Sequence, residues 1–116
     1  MATNGHSEEL LDTIGDEYAR QILAALSRDS QSAKELAEEC DISLPTVYRR
    51  LETLTEQDLV TTRTLVGEDG NEYSIYETNF ESTLISLQGD GYEVRVYRQQ
   101  NTPDRFSQLW DDLGVE

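Results

Sequence analysis

Arg49 and Arg50 stand side by side in the stretch Ser43-Leu44-Pro45-Thr46-Val47-Tyr48-Arg49-Arg50-Leu51-Glu52-Thr53-Leu54. A guanidinium is planar, always charged and carries its donors in a fixed fork, which matches guanine O6/N7 or a phosphate. One such fork on a base edge is worth about 1–3 kcal/mol of discrimination, and the second arginine could hold phosphate. Ser43 and Thr46 add hydroxyls. Pro45 and Thr46 offer methyl-type surface suited to thymine, and Tyr48 could reach a phosphate oxygen. The chemistry on offer is recognition of a nucleic-acid duplex. Covalent and acid–base chemistry lack their parts: His6 is the only histidine, Cys40 the only cysteine, and no Gly-rich phosphate loop or Ser/His/Asp or Cys/His set occurs. An enzyme is not expected.

The same residues have ordinary readings. Arg49 or Arg50 could simply pair with Glu52 or Glu56, and Tyr48 could pack against a neighbouring hairpin. Further candidates flank the stretch. Ser32 and Lys34 open the preceding helix, where free N–H groups favour phosphate. Thr62, Arg63 and Tyr73 sit in a hairpin that could touch the flanking backbone, although Arg63 could instead pair with an acid across the strands. Cys40 reads first as a small buried apolar residue rather than a redox sensor.

Positioning these groups requires a helix with two faces. Ser43 is a good N-cap and Pro45 sits in the first turn, where its missing N–H costs nothing. Val47, Leu51 and Leu54 then form one apolar stripe at i, i+4 and i+7. Before it, residues 7–14 predict a short helix capped by Ser7, and Asp16 caps a second over roughly 16–27. Ser32 and Glu35 form a capping box opening a helix over 33–39, and Cys40-Asp41-Ile42 turns into the two-faced helix. Two helices joined so closely make a helix-turn-helix. Residues 59–66 and 72–78 predict strands joined by the turn material Gly67-Glu68-Asp69-Gly70-Asn71. Residues 80–88 are ambiguous by period; a second hairpin with the strand 92–97 is favoured over a helix. Thr102-Pro103-Asp104 opens a final helix. The predicted fold class is α+β: a winged helix-turn-helix with an N-terminal helix, a wing hairpin, an additional C-terminal hairpin and a C-terminal helix. We read residues 1–116 as a single domain, with a core over about 16–78 and a dimerisation extension over about 80–116.

The charge narrows the setting. The 116 residues carry 24 acids against 9 bases, a formal net charge of -15, and Lys34 is the only lysine. Abundant Asp and Glu with almost no lysine resembles cytoplasmic proteins of salt-loving archaea; the alternative is an acidic mesophilic protein that binds a basic partner. Molar salt shortens the Debye length to about 3 Å, which screens the self-repulsion. The longest apolar run, 22–26, is far short of the roughly 20 residues a membrane span needs. A cytoplasmic protein without membrane contact is expected, and one cysteine excludes an internal disulfide.

Leu36 through Val60, LAEECDISLPTVYRRLETLTEQDLV, resembles the helix-turn-helix core of ArsR-like winged-helix transcription regulators, the haloarchaeal ones in particular. The resemblance implies a homodimer on a two-fold symmetric DNA site, with half-sites about 10–10.5 bp apart or a multiple of that. Haloarchaeal relatives include regulators that respond to oxidative stress, so an oxidant-linked role is one expectation. ArsR-type metal sensors carry a cysteine pair near the recognition helix. Cys40 stands alone, and a metal needs three or four converging ligands, so no metal or other cofactor is expected. Bound K+ or other salt ions at the DNA interface are the exception allowed by the acidic body. Apolar surface left over at Leu10, Leu11, Ile14, Leu84, Phe106, Leu109, Trp110 and Leu113 supplies the expected dimer interface. The competing function is a winged-helix module binding another protein of the transcription machinery, which needs no two-fold symmetry.

Overall fold

The computed structural model describes residues 7–98, with Phe80 described by its backbone only. The expected helix after Thr102, with Phe106, Leu109, Trp110 and Leu113, lies outside the described residues. Four helices come first: α1 Ser7–Gly15, α2 Glu17–Arg28, α3 Ala33–Cys40 and α4 Leu44–Glu56. Two antiparallel hairpins follow, β1 Val60–Val66 with β2 Glu72–Thr78 and β3 Phe80–Gln88 with β4 Gly91–Arg98. The architecture is α+β and consistent with a winged helix-turn-helix.

Local chemistry sets most boundaries. The Asp16 carboxylate accepts from the Ala19 N–H at 2.8 Å and caps α2. The capping box at α3 is complete: Glu35 N–H donates to Ser32 Oγ and Ser32 N–H to Glu35 Oε1. α3 stops because Asp41 adopts a left-handed φ of 56°, and Ile42 N–H returns to the Ala37 carbonyl at 3.1 Å. Such a reversal satisfies carbonyls that a helix end would otherwise leave unpaired. Ile42 then drops into the core and Ser43 starts the next helix, its hydroxyl accepting from Thr46 N–H.

Val47, Leu51 and Leu54 are buried together with Ala19, Ile22, Leu26, Leu36, Leu59 and Val60, so the stripe seen in the sequence is the core face of α4. The cluster extends to Leu10 and, from β4, Val94 and Val96. Leu10, expected at a subunit contact, is 7% exposed and belongs to the core of its own chain. The reason is that α1 packs on β4, with Ser7 Oγ accepting from the Val94 N–H at 3.3 Å. Ser7, read as a cap, thus ties α1 to the second hairpin. Leu11 packs partly against the core, and Ile14 and Leu84 are half-buried.

Residues 80–88 form a strand, as favoured, in register with β4 through pairs such as Ile85↔Val94 and Leu87↔Tyr92. Paired residues share a face of a sheet. Val94 and Val96 are buried on that face, whereas Ile85, Leu87 and Tyr92 remain exposed. The polar segment 28–31, read as a loop, holds one strand-like contact. Gln31 exchanges backbone hydrogen bonds with Tyr76, at 3.1 and 2.8 Å, and so anchors β2 beside the start of α3. Its side chain is buried and donates to the Ala25 carbonyl at 3.4 Å.

Candidate nucleic-acid interface

Opposite its buried stripe, α4 presents Leu44, Pro45, Tyr48 and Arg49 to solvent, with Ser43 exposed at its cap and Thr46 half-exposed beside it. Three of these groups are prearranged. Ser43 Oγ donates to Thr46 Oγ1 at 2.9 Å, and Arg49 Nη2 donates to the same Thr46 oxygen at 3.2 Å. The hydroxyl therefore steers the guanidinium along the helix surface without neutralising it. Among the described residues no carboxylate engages Arg49 or Lys34, whereas Arg28, Arg50, Arg63, Arg95 and Arg98 all pair with acids.

The arginine pair therefore divides. Arg50, expected to face outward beside Arg49, turns to α2. Its Nε donates to Asp16 Oδ2 at 2.8 Å and its Nη2 to Asp16 Oδ1 at 3.2 Å, a two-pronged fork spanning 34 positions of sequence. Both side chains are 29% exposed, and the guanidinium lies 5.6 Å from the centre of the Tyr18 ring. The partner is neither Glu52 nor Glu56, because the step of one residue, about 100° around the helix, carries position 50 off the outward face and toward the α2 cap. Asp16 thus does two jobs, capping α2 and holding α4. The hydrogen bond from Arg50 holds its carboxyl below the usual carboxylate value, with the Ala19 N–H contributing.

A group with a lowered folded pKa adds stability that is present above its unfolded pKa and is lost as pH falls through the folded one. Asp16→Ala should cost about 1 kcal/mol for the cap and up to about 1 kcal/mol for the pair. The gap between wild type and variant, read from denaturant midpoints at constant salt, should narrow as pH drops below about 4. An equal gap at neutral and at acid pH would refute the fork.

The candidate residues of the β1–β2 hairpin do not share a surface. Side chains alternate along a strand, and the register pairs Thr62 with Tyr76 but Arg63 with Ile75 and Leu65 with Tyr73. Thr62 therefore lies on one face and Arg63 and Tyr73 on the other. Arg63 pairs with Glu77, two positions along from its cross-strand neighbour, so it is occupied as a surface ion pair. The turn between β1 and β2 is acidic, and its Asp69 accepts from the backbone and side-chain N–H groups of Asn71, which together lower its pKa. Tyr48 is exposed, and the pKa of Tyr76 is raised by burial, with the Tyr48 phenol adding to it. Ser32 is committed to the capping box, and Lys34, two positions on, is exposed. Cys40 is half-buried, with its thiol directed to the Gln21 carbonyl; burial raises its pKa, and Glu39 raises it further.

Among the described residues no three or more His, Cys, Asp or Glu side chains gather in a way that could hold a metal. No described helix is long and apolar enough to cross a membrane. The groups that sequence reasoning missed are Asp16 as the partner of Arg50, the Gln31–Tyr76 bridge, and Asn79 and Arg98, which meet at the end of α4. None of these had a local signal, because each meets a partner distant in the sequence.

Residues 14–63, from the end of α1 into β1, match a family model described as a helix-turn-helix domain. No curated protein matches the chain. The crystal structure of the Vibrio cholerae ferric uptake regulator is a distant likeness, 22% identical with a TM-score of 0.47, covering 95% of this chain and 90% of that one.

Proposed function

We propose that this chain is a sequence-specific DNA-binding transcription regulator, non-enzymatic and cytoplasmic, in which α4 enters the major groove. The observation that carries the reading is Arg49. In a chain of net charge -15, it is a cation on the outward face of the helix-turn-helix that no described acid neutralises. The helix-turn-helix match over residues 14–63 supports the same reading. Arg49 is the base-reading group, with Ser43, Pro45 and Thr46 beside it. Lys34, Tyr48, Thr62 and Tyr73 contact phosphate or sugar, while Arg50 and Arg63 serve the protein scaffold first.

The regulator works as a homodimer on a two-fold symmetric operator. The exposed apolar residues Ile85, Leu87 and Tyr92 support a second copy, since α1 covers only the Val94 and Val96 part of that face. A role in an oxidative response belongs to the proposal, though Cys40, half-buried and with a raised pKa, is a poor first point of oxidation. The ArsR-like kinship and the halophilic setting belong to it as well.

Ordinary DNA binding weakens with salt at a log–log slope near -0.9 per neutralised phosphate, through counterion release. An acidic body facing DNA must instead take up cations, K+ among them. Binding to a duplex selected from random-sequence DNA is expected to hold or strengthen as KCl rises through the molar range, with two protomers per site. A steep negative slope above molar KCl would refute the cation uptake; absence of any selected sequence would refute the DNA reading. That second outcome would favour the protein-binding module. The occupied Arg50 is the observation on its side, because it leaves one arginine where a DNA reader would profit from two.

A further inference from the structure

α4 ends in a knot of hydrogen bonds that joins it to the second hairpin. Asp58 takes a left-handed φ of 60°, and Leu59 N–H closes the reversal on the Leu54 carbonyl at 2.9 Å. The carbonyls of Gln57 and Asp58 are then claimed from elsewhere in the chain. Arg98, at the end of β4, donates from Nε to the Asp58 carbonyl at 2.8 Å and from Nη2 to the Gln57 carbonyl at 3.0 Å. Its Nε also lies 3.2 Å from the Asp58 carboxylate. Asn79, between β2 and β3, donates from Nδ2 to the same Asp58 carbonyl at 3.0 Å and from its N–H to the Leu59 carbonyl at 2.8 Å. Gln57 Nε2 donates to the Glu9 carbonyl of α1 at 3.4 Å. One backbone oxygen thus gathers the end of α4, the β2–β3 junction and the end of β4.

The chemistry suits a rigid joint. A cation at a helix C-terminus is favoured by the helix dipole. A guanidinium can span two carbonyls in one fixed geometry, which a lysine ammonium on its flexible stem cannot. Arg98 is only 26% exposed, so its bonds compete weakly with water. Together with the Arg50–Asp16 fork, α4 is held at its middle by α2 and at its end by β4.

We propose that Arg98 is a positioning residue for α4. It locks the trailing end of the reading helix to the second hairpin, so the angle at which Arg49 is offered depends on a residue outside the helix-turn-helix. This rests on the DNA-reading role of α4 proposed above.

The test uses full-length wild type, Arg98→Gln, Arg98→Lys, Asp58→Asn and Arg49→Ala in the same molar KCl. Amide hydrogen exchange without DNA is read at Asp58, Leu59 and the last turn of α4. Exchange there should be at least about tenfold faster in Arg98→Gln, intermediate in Arg98→Lys and near wild type in Asp58→Asn. Arg98→Gln should also bind the selected duplex about tenfold or more weakly and discriminate less against a scrambled duplex, with partial rescue by Arg98→Lys. Unchanged exchange in Arg98→Gln overturns the proposal. So does wild-type binding by Arg98→Gln when Arg49→Ala has lost binding, an outcome that leaves the DNA reading intact. Undiminished binding by Arg49→Ala overturns the DNA reading and with it the positioning role. Should Arg98→Gln fail to fold, the Arg98→Lys and Asp58→Asn comparison decides: equal exchange in the two overturns the proposal.

Discussion

Arg49→Ala should lose about 1–3 kcal/mol of specific DNA binding, roughly 5- to 150-fold in affinity, while its denaturant midpoint stays at the wild-type value. The reason is geometric. Arg49 is exposed, and among the described residues its one side-chain hydrogen bond is to Thr46 Oγ1 on the same helix, so its removal takes nothing from the packing. Arg50→Ala should behave in the opposite way. It breaks both prongs to Asp16 and uncovers Tyr18, costing roughly 1–2 kcal/mol of stability, with a smaller effect on affinity once the protein is folded. The pair is best read by titrating labelled selected duplex at fixed KCl beside urea melts of the same preparations. If Arg50→Ala abolished recognition at unchanged stability, the division of labour between neighbours would be wrong.

Leu54→Ala should be the most damaging single truncation on α4. Leu54 is fully buried, and its carbonyl also receives the Leu59 N–H that closes the helix end. Removing a buried leucine side chain costs about 2–5 kcal/mol, the spread reflecting how far neighbours collapse into the space. Domains of this kind hold about 5–15 kcal/mol in all, so the variant sits near the edge of folding. Denaturant unfolding at constant KCl measures it. A loss below about 1 kcal/mol would mean that α4 is not clamped by its apolar stripe, and Arg49 would then lack a fixed platform.

Much of the fold was legible because its signals are local. The Ser43 cap, the early Pro45 and the spacing of Val47, Leu51 and Leu54 specify α4 within a dozen residues. The Ser32–Glu35 box does the same for α3, and the glycine-rich turn between two β-branched runs does it for β1 and β2. The strand character of 80–88 was harder, since a nine-residue apolar-polar mixture fits either period. It was decided by pairing with β4, whose Val94 and Val96 are buried on the face where α1 packs.

The site was legible by residue type but not by partner. With 24 acids in the chain, the sequence alone offers Arg50 several mates, Glu52 and Glu56 among them. Which carboxylate it meets depends on where the start of α2 arrives beside α4. Leu10 is the parallel case for apolar surface: its pattern fits a subunit contact or a core equally, and the packing of α1 on β4 selects the core.

By itself, then, the chain's order of residues determined the helix-turn-helix, the cap of each helix in it, the buried stripe of α4 and the off-stripe positions between Ser43 and Arg49. Those follow from hydrogen bonds and side-chain periods confined to a turn or two. Tertiary structure alone decided that Arg50 holds Asp16, that Gln31 pairs with Tyr76, and that Arg98 reaches the Asp58 carbonyl across 40 positions. A polar group chooses its distant partner only after hydrophobic burial has brought the two backbones together, and no local pattern encodes that meeting.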